Sequence, residues 1–425
     1  MDRKEQIHML TAESVDLLKD MIAIPSPSFS EDQVCTHISG WLSEKGIPHR
    51  RIGNNLIAEN IADQSKPTLM LCAHMDTVAP GEGYGFDPYT PDYTLAAQVI
   101  EASTGKICRP DEIVAGLGSN DDGASAVAMI AAFRYFRSNN IQSSRSGHCL
   151  RNRATPLAAG TSDRLANSPV DFCREPTRDE VVGGVVPETV SGPAFNMILV
   201  LSCEEERSGE GGMTGLWRSR EVTADYAIVG EPTGMKAATS ERGLLVIDAT
   251  AHGISGHAAR NEGRNALYIA LEDIERLRSH TFSKTSPRMG KVNLNVTQIN
   301  AGTAHNVIPD TCTFVIDIRP TEQYTNEEIL QELQGICSSE LKARNLCNRS
   351  SATAEDSPLQ KAAEGLGIDT FSSPTTSDWM RISCDAVKMG PGDSSRSHRK
   401  DEFVYISEIS HAIDTYIDFI NTLTI

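Results

Sequence analysis

No stretch of this 425-residue chain approaches the roughly 18 consecutive apolar residues that a membrane span needs. Its first residues, MDRKEQIHML, are charged and lack the apolar run of a secretory signal, so a cytoplasmic protein is expected. The ten cysteines are scattered from Cys35 to Cys384 without a C-x-x-C pair. A zinc ribbon or thioredoxin-like motif is therefore not expected, and reduced thiols are the simplest reading. The H-E-x-x-H pattern of single-helix zinc sites is also missing. Basic residues are scarce: 39 Lys and Arg stand against 57 Asp and Glu, a net charge of −18. That balance argues against nucleic acid as a partner, because sequence-independent binding depends on cations at the phosphates.

What is present can bury a sizeable core. The chain is 39% hydrophobic and 23% charged, and about 150 residues per domain gives a prior of two or three domains. SVDLLKDMIAI has helical spacing, and Ser30 with Gln33 reads as a capping box opening a helix over SEDQVCTHISGWLSEKG. TLMLCA (68–73), NMILVLSC (196–203) and YAIVG (226–230) are short apolar runs, the mark of strands buried on both faces. GASAVAMIAAFRYF (123–136) reads as an apolar helix between them. Strands alternating with helices predict an α/β domain with a mostly parallel sheet and helices on both faces.

Around residue 243 the style changes. LLVIDATAHG, ALYIALEDIERL, KVNLNVTQINAG, TCTFVIDIRP and NEEILQELQGICSSE spell β-α-β-β-α, a smaller α+β layer with an antiparallel sheet. After about residue 352 helices and strands resume, with DAVKMG (385–390) as a strand and ISEISHAIDTYIDFINTL as a terminal helix. We therefore expect a discontinuous domain of 1–242 and 351–425 with 243–350 inserted. Residues 138–193 show no period and are rich in Ser, Arg, Asn and Pro, so a disordered insertion is expected there. Six Arg against Asp163, Asp171 and Glu175 between 145 and 178 leave open a docking segment for an acidic partner. The segment 92–114 reads as a second, milder insertion.

The chemistry concentrates just past predicted strand ends, where ligands of open α/β sheets gather. His74-Met75-Asp76 follows TLMLCA. Asp121-Asp122 follows GLGSN and opens the apolar helix. Glu204-Glu205-Glu206 follows NMILVLSC, Glu231 follows YAIVG, and His398 follows DAVKMG and the turn GPGDSSRS. Acids at buried strand ends repel one another and lose hydration, which costs heavily without a cation. Two His and several carboxylates suit zinc, cobalt or manganese, and a bridging carboxylate could hold two ions roughly 3.5–4 Å apart.

These residues resemble a known family. IPSPSFSE, HMDTV, GLGSNDDGAS, EEE, GEPT, ERG, GISGHAARNEGRNA, NAGTAHNVIP, DIR and GPG…SH occur in the order found in the co-catalytic zinc amidohydrolases. That family includes acetylornithine deacetylase, succinyl-diaminopimelate desuccinylase, aminoacylase and the glutamate-releasing carboxypeptidases. The resemblance covers nearly all of the chain except 138–193 and 92–114, and is greatest to the acetylornithine or acetylcitrulline deacetylase branch. It implies two divalent ions, zinc or cobalt. His74 and Glu231 would hold one, Glu206 and His398 the other, and Asp121 would bridge them, with its bond to Asp122 cis. Asp76 would orient the His74 ring, and Glu205 would be the general base. Glu204 stands where the family's D-E-E pattern has Asp. The inserted segment would be a lid and dimerisation domain, and the protein a homodimer. His257 would reach the partner subunit's site and stabilise the oxyanion.

The resemblance thus implies hydrolysis of an N-acyl amino acid, N-acetylornithine or N-acetylcitrulline first, in arginine synthesis. Desuccinylation, general aminoacylase and dipeptidase activities are the alternatives. Amide hydrolysis needs an activated water, an oxyanion stabiliser and a proton for the leaving amine; Glu205 beside Glu206 can move that proton, or can serve only as a balancing charge. Arg319, ending FVIDIR, can bind a substrate carboxylate in two-pronged fashion or make an ordinary salt bridge. Asn306 and Arg396 are further candidates for substrate contact, with Asp378 behind them. From another class, the chain could be a metal-binding protein without catalysis, or a scaffold built around 138–193.

Overall fold

The structure, a computed structural model, describes residues 1–61, 63–151, 194–260 and 262–425, with only the backbone of 139–151. The chain forms two compact units, Met1–Arg134 with Ala194–Ile425, and Tyr135–Pro193. In the first unit, α1 (Arg3–Ile22) and α2 (Asp32–Glu44) precede β1 (His49–Ile52), β2 (Asn55–Asn60) and β3 (Thr68–His74). Then come α3 (Tyr93–Thr104), β4 (Ile113–Ala115) and the start of α4 (Ala124–Arg151), followed by β5 (Asn196–Ser202), α5 (Met213–Arg218), β6 (Tyr226–Val229) and β7 (Ala237–Glu241). A second stretch holds β8 (Leu245–His252), β9 (Gly256–His257), α6 (Ala266–Ser279), β10 (Asn293–Ala301), β11 (Val307–Ile308), β12 (Thr311–Arg319), α7 (Asn326–Ile336) and β13 (Glu340–Ala343). The chain ends with β14 (Ser351–Ala352), α8 (Pro358–Gly365), β15 (Thr370–Ser373), β16 (Asp385–Lys388), β17 (Phe403–Tyr405) and α9 (Ile406–Thr422).

The large sheet runs β1-β2-β5-β3-β6-β16-β7-β14, with β15 also on β7. Its centre is the expected α/β core: β5, β3, β6 and β16 are adjacent and parallel. The flanks are mixed, because β1 with β2, β2 with β5, and β7 with β16 and β14 pair antiparallel. Every residue of β5 is buried, as is all of β3 after Thr68, which is why these strands read as unbroken apolar runs. α9 presents Ile409, Ile413, Tyr416, Ile417 and Ile420 inward and packs on α1. Among the described residues no helix is long and apolar enough to cross a membrane.

The small sheet, β10-β12-β8-β13, is antiparallel throughout. In β8, buried and partly exposed residues alternate, so one face is covered. Leu245, Ile247, Phe314 and Ile316 meet Ala270 and Leu333 of α6 and α7 in one apolar cluster. The pattern β-α-β-β-α is the expected one. The domain boundary at 243–350 remains a proposal; the sheet itself occupies 245–343.

Three local expectations change. The capping box at Ser30 does not form: the residue before α2 is Glu31, which makes no side-chain cap. The Glu31 carboxylate is instead buried, accepting the N–H of Phe29 at 2.8 Å and of Glu204 at 3.1 Å. Residues 92–114 are ordered. The Asp92 side chain caps α3, Ala96, Ala97 and Ile100 are buried, and β4 pairs with β17. α4 runs on to Arg151, past the apolar stretch that ends at Phe136; once a helix is nucleated, each further residue adds its bond without a new nucleus. The rest of the expected insertion, 152–193, lies outside the described residues.

Candidate metal centre

The four central parallel strands deliver their following residues to one end of the sheet. His74 closes β3, Glu205 and Glu206 follow β5, Glu231 follows β6, and His398 follows β16 after a short turn. Asp121 arrives differently. It sits in a tight turn that opens α4, well past β4, which belongs to a separate two-stranded sheet. The peptide joining it to Asp122 is cis. Gly390 permits the approach of β16 to β6, since a side chain there would collide with the Glu231 backbone and Ser125.

Asp121 turns one oxygen to each imidazole. Its Oδ1 lies 3.2 Å from His74 Nε2 and its Oδ2 lies 3.7 Å from His398 Nε2. His398 Nε2 is also 2.9 Å from Glu206 Oε2. Two sets offer ligand atoms within 4.8 Å of one another: His74 with Asp121 and Glu206, and His74 with Glu205 and Glu231. Among the described residues the Glu205 and Glu231 carboxylates accept no hydrogen bond from the protein. Burial first, then neighbouring carboxylates, pushes both well above the usual carboxylate range. Burial likewise raises Asp122 to about 8. His398 is raised to about 9, chiefly by its hydrogen bond to Glu206. Burial opposes charge on His74, yet its bonds to Asp121 and Asp76 hold it well above the ordinary imidazole value. Two imidazoles and buried, unsatisfied carboxylates are a donor set for borderline-to-hard divalent cations, which would relieve this repulsion.

Residues behind the cluster hold it in place. Asp76 meets His74 Nδ1 twice, with its carbonyl accepting at 2.9 Å and its carboxylate Oδ1 at 3.5 Å. The Asp76 carboxylate also accepts the N–H of Glu205 at 3.0 Å, the N–H of Glu206 at 3.1 Å and the hydroxyl of Ser28 at 2.7 Å. It therefore ties the imidazole to the glutamate turn. Sequence reasoning passed over Glu402, which is buried and accepts the N–H of Asn120 at 2.8 Å and of Asp121 at 2.9 Å. Burial and the nearby Asp121 raise Glu402 to about 8. Asn120 was missed too. Its amide donates to the Asp393 carbonyl at 3.1 Å and to Ser397 at 3.3 Å, tying the Asp121 turn to the His398 turn. The motifs GLGSND and SHRKDE contain both residues, but nothing in their type marks them as inward-facing.

A cleft of about 800 Å³ opens beside the cluster, lined by Asp121, Glu205, Glu206, Glu231 and His398 and by Leu244 and Arg319 from the small-sheet side. Arg319 is already paired with Asp317, Nε to Oδ1 at 2.9 Å and Nη2 to Oδ2 at 3.2 Å. Arg396 is not among the lining residues. It pairs with Glu408 at 2.7 and 3.1 Å and stacks on Phe403 and Tyr405, at 4.5 and 5.3 Å from the ring centres. Here Arg396 packs beside the His398 turn, and its expected substrate contact is not among the contacts it makes. Asp378 is buried and accepts from Ser202 at 2.6 Å. His257 and Asn306 lie together, away from the cleft lining: β9 pairs with β11, and Ala258 N–H donates to the Asn306 carbonyl at 3.1 Å. Both are exposed.

Residues 239–345 match the family profile of the peptidase dimerisation domain, M20_dimer. The chain is 25% identical over 253 residues to a succinyl-diaminopimelate desuccinylase of Anaplasma marginale, covering 54% of this chain and 66% of that protein. It is 28% identical over 238 residues to an acetylornithine deacetylase of Myxococcus xanthus, covering 50% and 61%. The matches thus span a little under two thirds of either relative. The fold is shared with a dinuclear metal-binding peptidase of Bacillus subtilis, at a TM-score of 0.62 and 14% identity over 97% of this chain and 98% of that one. The small sheet and these likenesses agree on two points: residues 239–345 form a peptidase dimerisation domain, and the chain shares the fold of a dinuclear metal-binding peptidase.

Proposed function

We propose that this protein is a metal-dependent amidohydrolase that removes an N-acyl group, acetyl in the first instance, from an amino acid. N-acetylornithine and N-acetylcitrulline, as intermediates of arginine synthesis, are the leading candidates. One observation carries the reading: Asp121 offers an oxygen to each of two imidazoles, with Glu206 and Glu231 beside them past the ends of the two strands that flank β3. The names of the curated relatives support both deacetylation and desuccinylation.

His74 and Glu231 would hold one divalent ion, Glu206 and His398 a second, and Asp121 would bridge them. Zinc or cobalt fits the donors. Such ions acidify water and polarise an amide carbonyl. Glu205 lies in the cleft with its backbone N–H fixed on Asp76. It takes a proton from the attacking water and returns it to the departing amine nitrogen. Arg319 meets the substrate carboxylate with the guanidinium edge not committed to Asp317. In a homodimer joined through the small sheet, His257 and Asn306 of one subunit would complete the other's oxyanion site.

The test is a panel of N-acetyl, N-succinyl and N-formyl amino acids with dipeptides, assayed with zinc or cobalt added. Fastest turnover of an N-acetyl substrate is expected. Preference for N-succinyl substrates or dipeptides would replace the acyl assignment with one of the alternatives. No hydrolysis of any member by metal-loaded protein would leave a metal-binding protein without catalysis.

A further inference from the structure

Lys388, the last residue of β16, is the one lysine or arginine among the described residues that is buried, at 1% exposure. Its Nζ lies 3.1 Å from Glu241 Oε2, 3.0 Å from the Thr375 carbonyl and 3.3 Å from the Thr375 hydroxyl. Three ammonium protons thus have three acceptors. Glu241, at the end of β7, is equally buried and accepts from Ser351 at 3.2 Å and Ser377 at 2.7 Å. No proposed metal ligand hydrogen-bonds to this pair, although the Lys388 charge favours the ionised form of nearby Glu231. Yet Lys388, Ser373, Pro374, Thr375 and Thr376 all line the cleft that holds Glu205 and Glu231.

A buried ion pair is a poor device for stability alone, since apolar residues of similar volume would serve as well or better. Its distinctive product is a fixed geometry. Here that geometry is the attachment of one segment: 373–376 follows β15, and Thr375 is bound through both its carbonyl and its hydroxyl. Because its protons are spent, Lys388 is not free to grip a ligand. We propose that Lys388 is a positioning residue: through Thr375 it fixes the 373–376 wall, which recognises the part of the N-acyl amino acid that extends away from the scissile amide. The proposal rests on the amidohydrolase reading above.

The experiment compares wild type, Lys388→Met and Lys388→Met/Glu241→Gln, each full length and metal-loaded. The single variant strands a buried carboxylate and is expected to lose thermal stability. The double variant removes both charges, while the Gln amide can accept from one of the Ser351 and Ser377 hydroxyls and donate to the other, so its melting temperature and metal content should approach wild type. Thr375 keeps only its local bonds to Ser373 in it and loses its tie to β16. KM for the best N-acyl substrate should rise about tenfold with kcat changed less than about threefold, a loss of uniform binding. Amide hydrogen exchange across 373–377 should quicken in the double variant alongside. An unchanged KM and unchanged exchange would make the pair merely structural and overturn the proposal; so would a fall in kcat that tracks lost metal. If wild type hydrolyses no N-acyl amino acid, the functional reading fails separately. Exchange at 373–377 then still decides the tether, with protection equal to wild type counting against it.

Discussion

Two buried carboxylate environments in this protein can be set side by side. Asp273, on α6 beside the small sheet, is fully buried, yet every demand it makes is met by the chain. Arg276 pairs with it at 2.7 Å, and the N–H groups of Ser338 and Ser339 and the Ser339 hydroxyl approach at 2.9, 2.8 and 2.6 Å. At the ends of the large sheet's central strands, Glu205 and Glu231 are packed against other acids without a hydrogen bond to their carboxylates among the described residues. The first arrangement is complete as folded. The second has the donor set that a divalent cation would complete, since its carboxylates find no partner among the described residues. The contrast separates a structural acid from a ligand set without appeal to any motif.

The largest expected effect sharpens that contrast inside the cluster itself. Glu205→Gln keeps size and removes the base, so turnover should fall by about 10²–10⁴-fold while bound metal stays at the wild-type level. Elemental analysis beside steady-state kinetics checks it. If Glu205→Gln loses a metal and Glu206→Gln does not, the two roles are exchanged.

Next in size is the proposed reach of His257 into the other subunit's site. His257→Ala alone should lower turnover by about 10²–10³-fold. Mixed with Glu205→Ala under conditions of subunit exchange, half of the dimers pair one of each chain. Each such dimer has one site with both good residues, so activity should recover to about a quarter of wild type. Proven exchange without recovery would place His257 in its own chain's chemistry or outside it altogether.

A smaller effect is expected behind the ligands. Glu402→Ala releases the N–H groups of Asn120 and Asp121 and should weaken metal affinity by about 10–100-fold, read by competition with a chelating dye. Asp273→Ala, the control from the other environment, should lower stability and leave metal affinity alone.

Glu402 also marks where sequence reading stops. The central strands and the β-α-β-β-α layer were legible, because apolar runs carry their own signal, and acids and His past strand ends marked the proposed ligands. His74, Asp121, Glu206 and His398 could be named as chemistry before any fold was known. Glu402, Asn120, Glu31 and Lys388 could not. Each works by accepting or donating to main-chain or hydroxyl groups brought close by distant segments, and their residue types are those of any surface. Ser30 shows the converse: a local capping pattern lost to the long-range bond between Glu31 and Glu204.

Metal removal should change how stability responds to pH. Without metal, Asp122 and Glu402 are raised to about 8, so the folded chain binds more protons than the unfolded one above pH ~4.5. Their contribution is present at low pH and lost as pH rises through about 8. His398, raised to about 9, acts in the same direction from about pH 6.5 upward. The melting temperature of chelator-treated protein should therefore fall between about pH 5 and 8, where metal-loaded protein stays higher and flatter. Identical profiles with and without chelator would mean that the cluster needs no cation.

The smallest effects separate two arginines that look alike in sequence. Both end up in two-pronged pairs with an acid, Arg319 with Asp317 and Arg396 with Glu408. Only Arg319 lines the cleft. Arg396 lies across Phe403 and Tyr405 at the start of α9 and there joins the His398 turn to the terminal helix. Arg319→Ala should raise KM several-fold, by about 1–2 kcal/mol of lost carboxylate binding, with little change in melting temperature. Arg396→Ala should do the reverse, costing about 1 kcal/mol of stability through lost stacking and pairing and leaving KM within twofold. Thermal melts and substrate titrations on the same two preparations decide it. A KM change at Arg396→Ala as large as that at Arg319→Ala would mean that the His398 turn moves with its arginine, and that packing and recognition are not separable at this edge of the site.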